Sequence, residues 1–575
     1  MTVEARTLLA MVQGHAASGT AATLTFVAIG ADGGFEEEVR SYPDLLARGE
    51  RLAGALAGAG IRPGDRFALL MRNRAAFVEA MVASEIAGTE FVSIDPRIRG
   101  EKLGKMLRFG DCRGVIVCPE GWPNIASVLP ECPGIEWVWT VDAVEDAGPQ
   151  SLETVMAAAT PVAGVPAALD RPMQWIYTSS TTGDAKAICM SHARFASTAR
   201  LADTFRLTSE DQLYNGLSLT HANAQLITLA CAVGLGIPAV ISTQFTKSRL
   251  WELLTAYRCT VFNLLGGMTS AIFAEPPGPF DRAHSVRMVI SAGMPAVVWP
   301  RFEDRFGLEV LEFYGTAEGG LLVNPPGAGP IGSVGKAPPG MVCQILDADD
   351  QPCAPGVRGE ICFRHDDGTL PQVQYHANPE ATADKTRGGW FRSGDIGWKD
   401  AEGWVWFSHR AGRSVRRNGD FVDTASIESL LAEQPDVDDV YVYGVRTAAT
   451  TPGERLVVAA VTPTTWPGEA RPLLEVCTNK LGRLGAPDFI QLVRAIPKTA
   501  SEKPQDRHLV EMINAGDDTL HNKKGPVSIR VEEGKEDHEN ETTPTVPVGE
   551  RPRVAAGRPH PCARADAGSA GRAGG

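Results

Sequence analysis

The stretch Trp175-Ile-Tyr-Thr-Ser-Ser-Thr-Thr-Gly-Asp-Ala-Lys186-Ala-Ile-Cys-Met-Ser-His192 decides how the rest of the chain is read. It opens on an apolar, aromatic run that predicts a strand. Thr178, Ser179, Ser180, Thr181 and Thr182 follow, then Gly183 and Lys186. Small hydroxylated residues bend closely around a phosphate chain, because their N–H and O–H donors come without bulk, and Lys186 adds positive charge. Ala187-Ile-Cys-Met190 then resumes a buried element. A P-loop is excluded, since the G-x-x-x-x-G-K-[ST] spacing is absent. A polar surface turn holding one lysine is the plainer alternative, and the remaining sequence has to decide between the two.

Composition narrows the class. A chain of 575 residues is long for one core, which implies two or more domains. Apolar residues make up 43% and charged residues 22%, the balance of a soluble globular enzyme. The formal net charge of −14 argues against a general nucleic-acid binder, so a polyphosphate ligand requires basic residues gathered locally. Eleven cysteines are scattered without a C-x-x-C pair, which fits reduced thiols better than a disulfide framework or a zinc site. The opening Met1-Thr-Val-Glu-Ala-Arg6 lacks a basic segment followed by an apolar one, so no signal peptide is expected and the location is read as cytoplasmic. Residues 226–241 form the most apolar long stretch. They are interrupted by Thr228, Gly234, Gly236 and Pro238 and fall short of the ~20 residues of a membrane span. A buried helix followed by a strand is expected there, and no membrane span.

Taken in order, Ser41-Tyr-Pro-Asp44 has the chemistry of a helix start: a cap, a proline in the first turn and an acid three residues on. That helix is expected to stop near residues 58–60. A strand at 67–71, a helix at 73–87 and a strand at 89–94 come next, with further strands at 114–118, 137–141, 239–242, 259–265 and 286–291. This alternation indicates parallel sheets covered by helices on both faces. Residues 325–366, rich in Gly, Pro and β-branched types, predict a β-barrel-like subdomain. Residues 403–410 alternate as a strand ending on Arg410. A helix at 427–435 with strands at 440–445 and 456–461 predicts a compact α+β unit. The expected fold class is thus α/β: a large N-terminal domain of parallel-sheet α/β lobes plus the β-barrel-like subdomain (1–410), then a small α+β C-terminal domain (411–520). Residues 521–575, rich in Pro, Gly, Glu and Arg, are expected to be a disordered tail.

Candidate functional residues fall at predicted strand ends, where open α/β sheets bind ligands. Ser291-Ala292-Gly293-Met294-Pro295 is one such end, and Leu311-Glu312-Phe313-Tyr314-Gly315-Thr316-Ala317-Glu318 is another. Small residues there let a flat base approach the backbone, Tyr314 can stack on it, and Glu318 can ligate Mg²⁺. Asp395 ends Trp390-Phe-Arg-Ser-Gly-Asp395, and a carboxylate accepts two hydroxyl donors at once. Arg410, Arg413, Arg416 and Arg417 place four arginines within eight residues, the local positive patch that an acidic protein needs for a polyphosphate. Each feature alone has a plainer reading: a core histidine for His221, a packed aromatic, a turn acid, a solvated basic hairpin, an exposed lysine for Lys503.

The ordered set resembles the adenylate-forming superfamily of acyl-CoA synthetases, peptide-synthetase adenylation domains and luciferases. The signature Tyr-Thr-Ser-Gly-Thr-Thr-Gly-x-Pro-Lys-Gly is matched at 177–187, with Ser180 and Ala187 in place of Gly and Ala185 in place of Pro. The family's Tyr-Gly-x-Thr-Glu is matched at 314–318, with Thr316 one place early and Ala317 in the usual Thr position. Its Pro-Lys-Thr-x-Ser-Gly-Lys is matched at 497–503, with Glu502 in place of Gly. Five motifs in the family's order cover nearly all of residues 40–510.

The resemblance implies roles by position. Thr178, Ser179, Ser180, Thr181, Thr182, Gly183 and Lys186 would bind the phosphates of ATP. Ala292, Gly293, Glu312, Phe313, Tyr314, Gly315 and Thr316 would surround the nucleotide. Asp395 would hold the ribose hydroxyls, Arg410 and Arg416 would contact ribose or phosphate, and Gly419 would line the channel for coenzyme A. Glu318 would hold Mg²⁺, His221 would border the acyl pocket, Arg413 would be the pivot between domains, and Lys503 would enter the site during adenylation.

The implied activity is that of an ATP-dependent acid–CoA ligase, a carbon–sulfur ligase that forms acyl-AMP and passes the acyl group to coenzyme A. Its expected partners are small molecules (a carboxylic acid, ATP and CoA) with no nucleic acid, and a monomer or a homodimer both fit. The Val-Arg-Arg-Asn-Gly-Asp run at 415–420 resembles the carnitine/crotonobetaine–CoA ligase branch. The presumed pocket segments 221–225, 266–270 and 292–294 offer small and neutral residues, so a neutral, bulky acid is expected, aromatic acids among them. Carnitine-like acids, a carrier-protein acceptor and a non-catalytic nucleotide-binding homologue stay open as alternatives.

Overall fold

A computed structural model describes residues 6–144, 148–178, 186–410, 415–417, 420–422, 424–448, 450, 455–499, 504–516 and 520–531. The local signals in the sequence are realised at atomic detail. Ser41 and Asp44 form a reciprocal capping box that starts the helix Tyr42–Gly58, with Pro43 in its first turn. The buried stripe Leu45, Leu52 and Leu56 faces the helix Ala75–Ala87, in which Glu79 is wholly buried and takes Arg40 and Arg48, each at 2.6 Å.

Two large sheets carry the N-terminal part. The first has eight strands in the order Leu321–Asn324, Glu309–Gly315, Met288–Ala292, Val261–Leu265, Leu213–Asn215, Ala239–Ser242, Thr23–Ile29 and Phe35–Ser41. Its inner pairs are parallel and both outermost pairs are antiparallel. The second has seven strands, from Gln150–Ser151 at one edge to the antiparallel hairpin Pro172–Thr178 and Lys186–Ser191 at the other. The inner strands are apolar on both faces, as strands buried between helical layers must be. The apolar run after His221 forms a buried π-helix, Ala224–Leu229, continuing as the α-helix Ala230–Leu235 before the strand Ala239–Ser242.

The predicted β-rich subdomain is a four-stranded antiparallel sheet: Met341–Leu346, Gly359–His365, Phe391–Lys399 and Val405–Arg410. Isolated bridges from Gly335 to Val405 and from Lys336 to Val323 stitch its last strand to the eight-stranded sheet. After a two-stranded ladder at Arg416–Arg417 and Asp420–Phe421, a five-stranded sheet holds Val437–Val445, Leu456–Pro463, Phe489–Leu492, Leu520–Asn522 and Gly525–Pro526. The expected tail boundary therefore moves. Residues 520–526 add two strands to this sheet, and Val531 is buried with its backbone bonded on both sides to Asn514. Backbone pairing, which composition does not register, holds this segment.

Among the described residues no helix is long and apolar enough to cross a membrane. The ten described cysteines are all free thiols, and all but Cys189 and Cys353 are buried. Burial pushes up the thiol pKa of Cys112, Cys231 and Cys259 among others.

Candidate active site

The strand Glu309–Gly315 alternates its side chains between two environments. Phe313 turns into the core, 5% exposed, its ring 5.8 Å from Phe205. Glu312 and Tyr314 face the other way. The buried Glu312 carboxylate accepts the N–H of Gly293 at 2.6 Å and of Met294 at 3.0 Å. It thereby fixes the turn at the end of the strand Met288–Ala292. Of the expected nucleotide contacts in this segment, Phe313 is a core side chain because consecutive strand residues point oppositely, and Glu312, on the face of Tyr314, is engaged as a brace by two backbone N–H groups. Burial pushes the Glu312 pKa up to about 8, against the two N–H bonds that favour the charged form. The turn it braces runs close to the next strand end: a side-chain carbon on Gly266 would stand 2.1 Å from the Gly293 carbonyl oxygen. Gly293 itself has φ +90°, a left-handed conformation that suits glycine.

Tyr314 reaches across to the antiparallel sheet. Its hydroxyl donates to Asp395 at 2.6 Å, and its ring lies nearly parallel to Phe363. Burial, then the Asp395 charge, hold the tyrosine pKa well above its ordinary value. Asp395 is paired in register with Arg410 on the neighbouring strand, and the guanidinium Nε lies 3.9 Å from its other oxygen. The turn before Asp395 is braced in turn. Ser393 Oγ accepts the Asp395 N–H at 3.0 Å, and Glu360 accepts the Gly394 N–H while pairing with the buried Arg392, both at 2.9 Å. The structure thus brings together Tyr314, Asp395 and Arg410, three residues that the sequence separates by up to 96 positions.

Glu318 ends a turn that Thr316 closes on itself. The Thr316 hydroxyl donates to the Gly319 carbonyl at 2.7 Å and accepts the Gly319 N–H at 3.2 Å. That hydroxyl is engaged within the turn in this arrangement. Gly320, at φ +74°, lets the chain pass against the Phe363 ring, where a side-chain carbon would come within 2.6 Å. One Glu318 oxygen accepts the Tyr375 hydroxyl at 2.8 Å. Tyr375 is brought there by the hairpin strand: Ile188 bridges Tyr375, Cys189 N–H donates to Gln374, and His376 N–H donates to Ala187, the last two at 2.9 Å. The exit of the hydroxyl-rich stretch is thereby tied to Glu318. Ser179, Ser180, Thr181, Thr182 and Gly183 lie outside the described residues. The backbones of Thr178 and Lys186 are paired as the last rung of the hairpin.

His221 lies three residues before the π-helix, its N–H donating to the Ser218 carbonyl at 3.1 Å. Two residues on, Asn223 accepts the amide N–H of Asn263, a residue 2% exposed on the strand Val261–Leu265. Asn223 thus lies against the strand Val261–Leu265 of the eight-stranded sheet.

The C-terminal sheet approaches the residues that follow this strand. Lys498 bridges Pro504 as a strand pair. Lys498 Nζ pairs with Asp439 at 2.6 Å and stands 3.6 Å from where a side-chain carbon on Gly267 would be. The neighbouring Asp438 takes Lys247 at 3.1 Å, and Lys247 also pairs with Glu275 at 3.0 Å. Lys503, Gly419 and the expected pivot Arg413 lie outside the described residues, and of Arg416 only the backbone pairing with Phe421 is described. Two cations that the sequence reading missed complete the site. Arg194 donates to the Thr316 carbonyl at 3.3 Å, and Lys385 donates to the Ser393 carbonyl at 2.8 Å. Neither belongs to a motif, and only the tertiary fold brings them there.

With this geometry in place, the class of protein follows. The AMP-binding enzyme family matches residues 16–370 and its C-terminal domain matches residues 426–503, so the chain belongs to that family of AMP-forming ligases. Among its relatives, the medium/long-chain-fatty-acid–CoA ligase FadD17 of Mycobacterium marinum is 30% identical over 84% of this chain and 94% of its own. The crotonobetaine/carnitine–CoA ligase of Salmonella paratyphi B is 25% identical over 80% of this chain and 91% of its own. The fold is shared with the anthranilate CoA ligase AuaEII, solved with anthranoyl-AMP, at a TM-score of 0.78 and 22% identity, covering 88% of this chain and 97% of that one.

Proposed function

We propose that this AMP-forming acid–CoA ligase activates a neutral, bulky acid, aromatic or long-chain, and transfers it to free coenzyme A. The observation that carries the nucleotide part is the Tyr314–Asp395 hydrogen bond at 2.6 Å with Arg410 in register beside it. A carboxylate held by a tyrosine on one oxygen and faced by a guanidinium on the other keeps lone pairs for two ribose hydroxyls. In the first half-reaction a carboxylate oxygen of the acid attacks the α-phosphorus of ATP, the bond to the β-phosphate oxygen breaks, and pyrophosphate leaves. Lys186, the hydroxyl-rich stretch and the incoming Lys503 would stabilise the charge that develops.

Glu318 is a hard oxygen donor with one oxygen engaged by Tyr375, which suits Mg²⁺ bound chiefly through nucleotide phosphates. Among the described residues no cluster of three or more His, Cys, Asp or Glu offers a cage of its own. The bound ion would neutralise phosphate charge. In the second half-reaction the thiol of coenzyme A loses its proton and attacks the acyl carbon, and AMP leaves. A rotation of the C-terminal domain near Arg413 would exchange Lys503 for the thiol channel at Gly419.

The substrate class rests on the pocket walls. His221, Asn223, Met268, Thr269 and Met294 bring no carboxylate, and Lys498 places a cation beside Gly267. These segments bring no aromatic side chain to hold a quaternary ammonium, and the one carboxylate bonded to them, Glu312, is engaged by two backbone N–H groups, which ranks carnitine-like acids second. The test is pyrophosphate release over a panel of acids, with and without CoA. Release with neutral aromatic or long-chain acids, and thioester only when CoA is added, is the expected result. Silence with every acid despite ATP binding would favour a non-catalytic homologue, and product formed only on a carrier protein would overturn the acceptor.

A further inference from the structure

Two cations near Glu318 are held by backbone carbonyls rather than by a close ion pair. Arg194 sits in the first turn of the helix His192–Ala199, started by Ser191, and its guanidinium lies against the Thr316 carbonyl. Its Nε is buried and makes no hydrogen bond. Lys385 ends the helix Pro379–Lys385, with its ammonium on the Ser393 carbonyl and close above Gly394. Among the described residues, neither has an acidic oxygen within 4.0 Å. Burial is the leading influence on both and lowers their pKa. The Glu318 charge is the one opposing influence on Arg194 and the largest on Lys385. An interior that holds positive charge without a paired anion is costly unless an anion arrives.

We propose that Arg194 and Lys385 are two fixed cations that receive the phosphates of the bound adenine nucleotide, an inference that rests on the ATP-dependent reading above. Arg194 bonds the carbonyl two residues before Glu318 and Lys385 the carbonyl two residues before Asp395, so the two would flank phosphates held between those carboxylates. These two belong to helices of the N-terminal part and would stay in place through both half-reactions. They also make good donors that the motifs lack, since Ala317 has no hydroxyl and that of Thr316 is engaged within its turn.

The experiment is calorimetric titration of the full chain with ATP, AMP, adenosine and, as a bare carboxylate probe, benzoate. Arg194→Met and Lys385→Met are each expected to weaken ATP binding about ten-fold or more, the scale of a charge-assisted contact. Adenosine binding stays within about two-fold, because it carries no phosphate, and AMP falls with ATP. Arg194→Lys and Lys385→Arg keep the charge and recover most of the ATP affinity. If the methionine variants do not fold, Arg194→Gln and Lys385→Gln carry the same expectation. Unchanged ATP binding in both charge-deleted variants overturns the inference, as does a parallel loss of adenosine, which marks a structural role. A loss confined to benzoate reassigns the cations to the acid substrate. Wild-type protein that binds no ATP overturns the ATP-dependent reading itself.

Discussion

Lys247→Met tests whether the contact between the two parts of the chain sets the balance of the half-reactions. Lys247 Nζ lies 3.0 Å from Glu275, on its own side, and 3.1 Å from Asp438, on the C-terminal sheet. The Lys247 and Asp438 side chains are 36% and 35% exposed, so the pair is closer to a surface salt bridge than a buried one. Such pairs contribute roughly 0.2–1 kcal/mol. Losing it shifts an equilibrium between this arrangement and any other by at most about five-fold. The arrangement seen here brings Lys498, five residues before Lys503 in sequence, beside Gly267, so the loss should fall on adenylation. Expected is an adenylation rate, read by pyrophosphate exchange, two- to five-fold lower relative to thioester formation from supplied acyl-AMP. Glu275→Gln leaves the crossing pair intact and should change that ratio little. Lys247→Met combined with Asp438→Asn should be no worse than either alone, since both delete one interaction. Equal losses in both half-reactions, or additive losses in the double variant, would refute the reasoning.

Glu312 should impose a pH dependence on stability. Its folded pKa of about 8 lies above the ordinary 4.5, so its contribution is full below about pH 4.5 and is lost as pH rises through 8; denaturation of Glu312→Gln from pH 5 to 9 should lack that component. Gly266→Ala should cost about 1–3 kcal/mol in urea unfolding, because the obstacle to its new carbon is the Gly293 backbone. Asp395→Asn should raise the KM for ATP about ten-fold or more with an unchanged melting temperature, through the lost charge-assisted ribose contact; a change in kcat alone would count against that role. Lys503→Ala should cripple adenylation while sparing acyl transfer from supplied acyl-AMP, and equal damage to both would remove its assigned part.

The parts of the site that the sequence announced are those written locally. The apolar run before the hydroxyl-rich stretch and the apolar run after it had to pair, and they form the hairpin Pro172–Thr178 and Lys186–Ser191. Alternation through residues 403–410 placed Arg410 at a strand end, and antiparallel register set it opposite Asp395. Motif position alone could not separate Phe313 from Tyr314, although strand alternation could have done so. Arg194 and Lys385 were invisible because each acts through a carbonyl more than a hundred residues away or across a turn, and no spacing rule records that. The strands Leu520–Asn522 and Gly525–Pro526 were missed because they are too short to carry periodicity; only pairing of the first with Phe489–Leu492 and of the second with the first makes them strands.

The described thiols have a practical use. Maleimide dyes react with thiolate, and burial keeps nearly all of these sulfurs protonated and shielded at neutral pH. A fluorophore pair on engineered surface cysteines, one on each part of the chain, can therefore be attached with the core cysteines left in place. Cys353, Cys189 and Cys562, which lies outside the described residues, are the native positions to replace first. Distance changes between such dyes, followed as ATP, acid and CoA are added in turn, would time the rotation directly.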